Sequence, residues 1–281
     1  MSLDPCQERK TSPKKIIINI NGPCSEPPKL GTAFGKHFSQ VSSNENYDPE
    51  FLTYKLRKKQ RIIEFPTDSN EFYNQPFTFK ELEFATKKVG TSPGSDDILY
   101  DFLSNLPNEQ KQNLLGYFNF VWENNLFPSQ WGEAIVLPFL KPNKPPQCTS
   151  SYRPISLTSC ICKTLERMVL PRLTIYLGSQ NYLRNYQSGF RRLHSTIDSL
   201  VRLESAIMET FLKNEYLIAV FLDIEKAYDM LWRYSIAQAM EKMGLKGHLP
   251  KFIMNFLPNR SMRIKIGAYI SESFIIENGI P

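Results

Sequence analysis

The sequence predicts an α+β fold, and three observations carry that prediction. The first half of the chain is dominated by apolar residues at helical spacing. Its strand candidates are short and separated by helices, which suits α+β better than a doubly wound sheet. The clearest strand candidate is the apolar run Tyr216 to Leu222, rich in Ile, Val and aromatic residues, which stops at Asp223. It is too short for a helix buried on every face and reads as a fully buried strand with a carboxylate at its rim.

Taken in order, residues 1–75 differ from the rest and read as an N-terminal extension, with the main domain over 76–281. Lys10, Lys14 and Lys15 precede a run from Ile16 to Ile18, and Pro23, Pro27 and Pro28 then break the pattern. A helix around Leu30 to Val41 places Phe34 and Phe38 on one face, and a polar linker follows through Asn44 and Asn46. This extension is expected to pack loosely. Thr78 with Glu81 three residues later forms a capping box for a helix bearing Leu82, Ala85 and Val89. A loop at Pro93 and Gly94 leads to a helix with Leu99, Phe102 and Leu103. A longer helix over 108–124 turns Leu114, Leu115, Phe118, Val121 and Trp122 inward.

Ala134 to Leu137 reads as a strand ended by Pro138, and the proline-rich stretch from Lys141 to Pro146 as an exposed loop. A helix from Ser159 past Leu177 contains Pro171, which is expected to kink it or cost about 3 kcal/mol. Ser195, with Asp198 at the third position, caps a helix reaching Lys213. Asp229 reads as the N-cap of a helix through Leu231, Trp232, Ile236, Met240 and Met243. Two strands, around Ile264 and Ile275, meet at a turn near Gly267.

Composition is that of a soluble globular protein, with 41% hydrophobic and 22% charged residues. No apolar stretch approaches the ~20 residues of a membrane span, and the first residues lack a secretory pattern. An intracellular location, cytoplasmic or nuclear, without membrane attachment is expected. The five cysteines are scattered, and Cys160-Ile161-Cys162 lacks the spacing of a zinc knuckle. Net charge is +6, and its distribution is informative. Between Phe139 and Arg192, nine basic side chains face a single acid, Glu166, so the whole cationic excess lies in this segment. Interleaved with Tyr152, Tyr176, Tyr182 and Tyr186, it has the footprint of phosphate binding.

The segment Asp223-Ile224-Glu225-Lys226-Ala227-Tyr228-Asp229 resembles the first catalytic motif of reverse transcriptases from non-long-terminal-repeat (LINE-type) retrotransposons, jockey-like elements above all. Three further blocks resemble the same family in the same order. They are Thr91 to Ile98 with Ser92-Pro93-Gly94, Pro138 to Leu157 with Lys141 and Tyr152-Arg153-Pro154-Ile155-Ser156-Leu157, and Tyr186-Gln187-Ser188-Gly189-Phe190-Arg191 with Ser195-Thr196.

The resemblance implies a right-hand polymerase arrangement of fingers and a partial palm. It implies an RNA-directed DNA polymerase acting on an RNA template, a DNA primer and deoxynucleoside triphosphates, with two Mg²⁺ ions about 3.5–4 Å apart. By the same resemblance Asp223 is a metal ligand and the Ile224 carbonyl a second contact, Tyr228 lies under the incoming sugar, and Lys141 and Arg153 grip the triphosphate. Gln187, Arg191 and Arg192 would follow the template or primer backbone.

The sequence departs from the family at Asp97, where Gly is common, and at Leu193-His194, where Gly-Arg is usual. It stops at Asn278-Gly279-Ile280-Pro281, before the Gln-Gly-Ser segment and the paired aspartates. With one of three expected metal carboxylates, the 281-residue chain is expected to be inactive by itself. A non-catalytic nucleic-acid-binding remnant and a poorly folded fragment are the alternative readings.

Overall fold

The computed structural model describes residues 16–19, 22–66, 70–87 and 92–280. Lys10, Lys14, Lys15, Val89, Thr91 and Pro281, named above, lie outside the described residues. A two-stranded ribbon, β1 (Ile18–Asn19) and β2 (Pro23–Cys24), leads into α1 (Pro27–Val41) and α2 (Pro49–Lys59). Next come α3 (Phe79–Thr86), α4 (Tyr100–Ser104) and α5 (Asn108–Glu123). The chain continues through β3 (Glu133–Leu140), β4 (Tyr152–Leu157), α6 (Cys160–Ser179), α7 (Thr196–Leu212), α8 (Arg233–Lys242) and α9 (His248–Phe256). The strands β5 (Arg260–Ile266) and β6 (Tyr269–Ile276) follow.

A mixed α+β architecture results. Its four-stranded sheet has the order β4-β3-β5-β6, with β3 and β5 parallel and the outer pairs antiparallel. The β5–β6 hairpin turns at Gly267, whose φ of 60° suits a residue without a Cβ. No helix among the described residues is long and apolar enough to cross a membrane.

Far from packing loosely, α1 is integral to the sheet. Pro27 and Pro28 occupy its first turn, where missing amides cost nothing. Leu30, Phe34 and Phe38 then repeat every four residues along one face and are buried on the sheet with Val136, Met262 and Ile264. The Phe34 ring meets Tyr152 edge-on at 4.9 Å. Gly31 and Gly35 let the helix sit directly on Tyr269 and Phe274. The polar stretch after α1 is also engaged. Buried Lys55 on α2 donates to Asn44 Oδ1 at 2.8 Å and Asn278 Oδ1 at 3.0 Å, and lies 3.8 Å from the centre of the Tyr47 ring. Burial pulls its pKa down to about 8.

The second core is helical and joins α3, α5, α6 and α9 through Leu82, Phe118, Trp122, Leu165, Met168, Leu249 and Phe252. Glu81 serves two elements at once. It completes the capping box with Thr78 and accepts from buried Arg172 of α6 at 2.7 and 2.9 Å. Burial works against the Glu81 carboxylate, but donation from Arg172 and Thr78 outweighs it and holds the group below its usual range. Helix α6 runs on through Pro171 instead of stopping there. Pro171 is exposed, and buried Met168, Val169 and Arg172 around it supply packing that offsets the lost amide bond. The capping box at Ser195 and Asp198 and the extent of α5 are as the sequence predicts.

Three further expectations are overturned. Residues 216–222 form no strand: they lie outside any ladder and are exposed, with Tyr216 at 99% and Leu222 at 91% of full accessibility. A strand needs a ladder partner, and β4 and β6 edge the sheet without one of them reaching this run. Pro138 does not end β3 but pairs with Pro154 of β4. Opposed residues in an antiparallel pair exchange amide bonds only at alternate positions, so two facing prolines fit a pair that exchanges none. Finally, Asp229 does not cap a helix. It closes a turn, and α8 starts at Arg233 after Trp232, because the Tyr228 and Leu231 carbonyls are taken up by the Ile280 and Gly279 amides.

A Cβ on Gly35 would stand 2.1 Å from the Phe274 ring, whereas one on Gly116 of α5 meets nothing within 4 Å. Gly35→Ala is therefore expected to lower stability by about 1–3 kcal/mol in urea titration, while Gly116→Ala raises it by up to about 1 kcal/mol.

Candidate active site

The seven residues from Asp223 to Asp229 follow the exposed apolar run and end in the turn over 225–229. Lys226 adopts φ 53°, and its carbonyl accepts from the Met230 amide at 2.9 Å. The C-terminal half of this segment is fixed by the chain that leaves β6. Ile280 N donates to the Tyr228 carbonyl at 3.0 Å, and Gly279 N to the Leu231 carbonyl at 2.9 Å. Arg233 then ties the same chain from behind, reaching the carbonyls of Gly279 at 2.7 Å, Ile276 at 3.1 Å and Asn278 at 3.2 Å. The Tyr47 hydroxyl donates to the Met230 carbonyl and adds the N-terminal segment to this brace.

The turn faces a cleft of about 470 Å³. Lys141 and Arg153 line it from the β3–β4 arm, Glu225, Lys226 and Asp229 from the turn and His37 from α1, while Arg260 of β5 adds to its wall but keeps its guanidinium on the Phe256 and Trp131 carbonyls. Lys141 is held by its amine donating to the Ser150 carbonyl at 2.8 Å, and its amide to the Ser151 carbonyl at 2.8 Å. Arg153 is exposed on β4 opposite Phe139 and makes no ion pair among the described residues. Burial raises the pKa of the Asp229 carboxyl, against the pull of Lys226 and Lys141. Burial likewise lowers that of His37, and both lysines add to the effect. A cleft in which cations outnumber carboxylates, with a planar Arg fork beside a mobile Lys, suits a polyphosphate.

Lys141 and Arg153, which the resemblance assigns to the triphosphate, line one cleft together with the turn. Asp223 and Ile224 do not line the cleft and are exposed. The Tyr228 ring is half-exposed and meets Phe190 edge-on, with centroids 6.5 Å apart, which links the turn to the loop before α7. In that loop Gln187 Nε2 donates to the Gly189 carbonyl, and Arg191 Nη1 donates to the Arg184 and Gln187 carbonyls. Both side chains hold the loop. Arg192 is exposed. The two departures at glycine positions fall on left-handed backbone, Asp97 at φ 55° and Leu193 at φ 64°. Asp tolerates that region, and a bulky Leu is strained there.

No group of three or more His, Cys, Asp or Glu among the described residues could hold a metal ion. Asp223 and Ile224 alone do not make a two-ion centre. Sequence reasoning missed His37 and Lys226 as cleft residues. Lys226 was signalled by its place inside the matched motif, whereas nothing local marks His37.

A Cβ on Gly279 would stand 2.5 Å from the Tyr228 carbonyl oxygen, at a φ of 82°. Gly279→Ala should lower stability by about 2 kcal/mol or more in urea titration. Gly267→Ala shares the positive φ but has open space, so it should lose only about 1 kcal/mol.

The family model described as reverse transcriptase (RNA-dependent DNA polymerase) matches residues 140–281. Among curated proteins, the "Probable RNA-directed DNA polymerase from transposon BS" of Drosophila melanogaster is 30% identical over 74% of this chain and 23% of its own length. The corresponding protein of the X-element is 28% identical over 98% of the chain and 30% of its length. The RNA-directed DNA polymerase from mobile element jockey is also 28% identical, over 96% of the chain and 29% of its length. The chain thus spans under a third of these relatives. Half the chain matches the family model, and almost all of it aligns with the mobile-element proteins. It belongs to the reverse transcriptase family, in the form carried by non-long-terminal-repeat, jockey-like retrotransposons.

Proposed function

We propose that this chain is the fingers and first part of the palm of an RNA-directed DNA polymerase, and that its cleft receives the triphosphate of an incoming deoxynucleotide. The observation that carries this reading is the meeting of Lys141, Arg153 and the turn over 225–229 around one cationic cleft. These residues come from two family blocks some 70 positions apart in sequence. In this reading Arg153 grips two phosphate oxygens and Lys141 supplies a point charge beside it. Tyr228 lies under the sugar, where a ring excludes a 2′-hydroxyl. Asp223 contributes one carboxylate, and the Ile224 carbonyl a further contact, to a divalent magnesium site whose other ligands are not among the described residues. The loop bearing Gln187, Arg191 and Arg192 runs along an RNA template or DNA primer.

Because one carboxylate cannot hold two ions, the 281-residue chain alone should give no primer extension on an RNA template. Extension that disappears in Asp223→Ala would show this expectation wrong. Arg192→Gln should weaken binding of an RNA–DNA duplex and reduce the slope of log K against log salt by about one, without a change in thermal midpoint. Arg191→Gln should lower the midpoint as well, since that side chain also bonds the loop. Equal thermal effects of the two changes would contradict these separate roles.

A further inference from the structure

Helix α1 lies in the stretch that sequence reasoning set aside as an extension, yet it walls the cleft. His37, near its end, lines the same space as Lys141, Arg153 and Lys226. Phe34 and Phe38 flank it in sequence and are buried on the sheet, so the backbone that carries the imidazole is fixed. The His37 ring is half-buried beside Phe38, with centroids 5.6 Å apart. Neither of its nitrogens makes a hydrogen bond among the described residues.

We propose that His37 is a phosphate-binding residue of this cleft, contacting the polyphosphate of an incoming nucleotide beside Lys141 and Arg153. The proposal rests on the triphosphate reading above and extends it to a residue outside the matched motifs. The charged groups around the cleft are Lys141 from the loop after β3, Arg153 from β4, and Glu225, Lys226 and Asp229 from the turn, while Arg260 of β5 lines the wall with its guanidinium bonded to the Phe256 and Trp131 carbonyls. On α1 itself Lys36 is exposed. In the free protein, burial and the two nearby lysines favour the neutral imidazole. This spares the cleft one more fixed cation. A polyphosphate neutralises those lysines and reverses the field at the ring, so the imidazolium becomes the favoured partner. Binding then takes up a proton at His37. Affinity must rise as pH falls through the interval between the free and bound pKa values, and level off above both.

The test is calorimetric titration of the 281-residue chain, together with an RNA–DNA duplex, using a magnesium-saturated deoxynucleoside triphosphate. Titrations between about pH 6 and 8, in buffers of different ionisation enthalpy, report affinity and proton uptake together. Wild type should bind up to about tenfold more tightly at the low end, with proton uptake beyond that of the ligand itself. His37→Gln and His37→Asn should keep the thermal midpoint and lose the extra uptake and its pH slope. Identical pH profiles and uptake in wild type and both variants would overturn the proposal. Arg153→Gln separates the two readings. If it weakens binding while the His37 variants match wild type, only the His37 role fails. If it binds like wild type, or if wild type itself does not bind, the cleft reading fails and the His37 role fails with it.

Discussion

The approach of Gly279 to the Tyr228 and Asp229 carbonyls is the contact on which the site depends. It brings the chain leaving β6 within hydrogen-bonding distance of the motif and fixes the turn over 225–229 against the sheet. A side chain at position 279 would push the two backbones apart, and the positive φ there would strain any other residue. Arg233 reinforces the junction by donating to three carbonyls of the same segment. With the turn held from one side, the β3–β4 arm can present Lys141 and Arg153 from the other.

The N-terminal segment takes part in this arrangement at three points. α1 covers the sheet, Tyr47 bonds the Met230 carbonyl, and the Lys55–Asn44–Asn278 group joins α2 to the end of β6. Its polar character in sequence reflects specific buried hydrogen bonds as well as solvent exposure. A buried ammonium with two amide oxygens and an aromatic face is satisfied where it lies, yet it would be costly if any partner were removed. The same segment places His37 in the cleft, so the walls of the site are drawn from residues more than 200 positions apart.

A different situation holds for α7 and the run before Asp223. The capping box of α7 fixes its start, and yet no residue of the helix is buried. Ile197, Leu200, Phe211 and Leu212 are exposed, as are Ile218, Phe221 and Leu222. Apolar surface on this scale is unusual for a lone soluble domain. It leaves Asp223 on a segment with no ladder on either side, in contrast to the braced turn a few residues later.

How much was legible in the sequence follows from the range of the forces involved. The capping boxes at Thr78 and Ser195, the helix from Asn108, the hairpin about Gly267 and the four motif blocks were determined by the sequence itself, because each depends on neighbours three or four positions away. The left-handed residues Asp97 and Leu193 were signalled only as departures from glycine, and their cause became visible with the backbone. Tertiary structure alone decided that Tyr216 to Leu222 stays exposed, that β3 continues through Pro138, that Asp229 closes a turn and that His37 joins Lys141 in one cleft. In every such case the outcome hangs on a partner distant in sequence, since burial and strand pairing belong to a residue's surroundings and not to the residue.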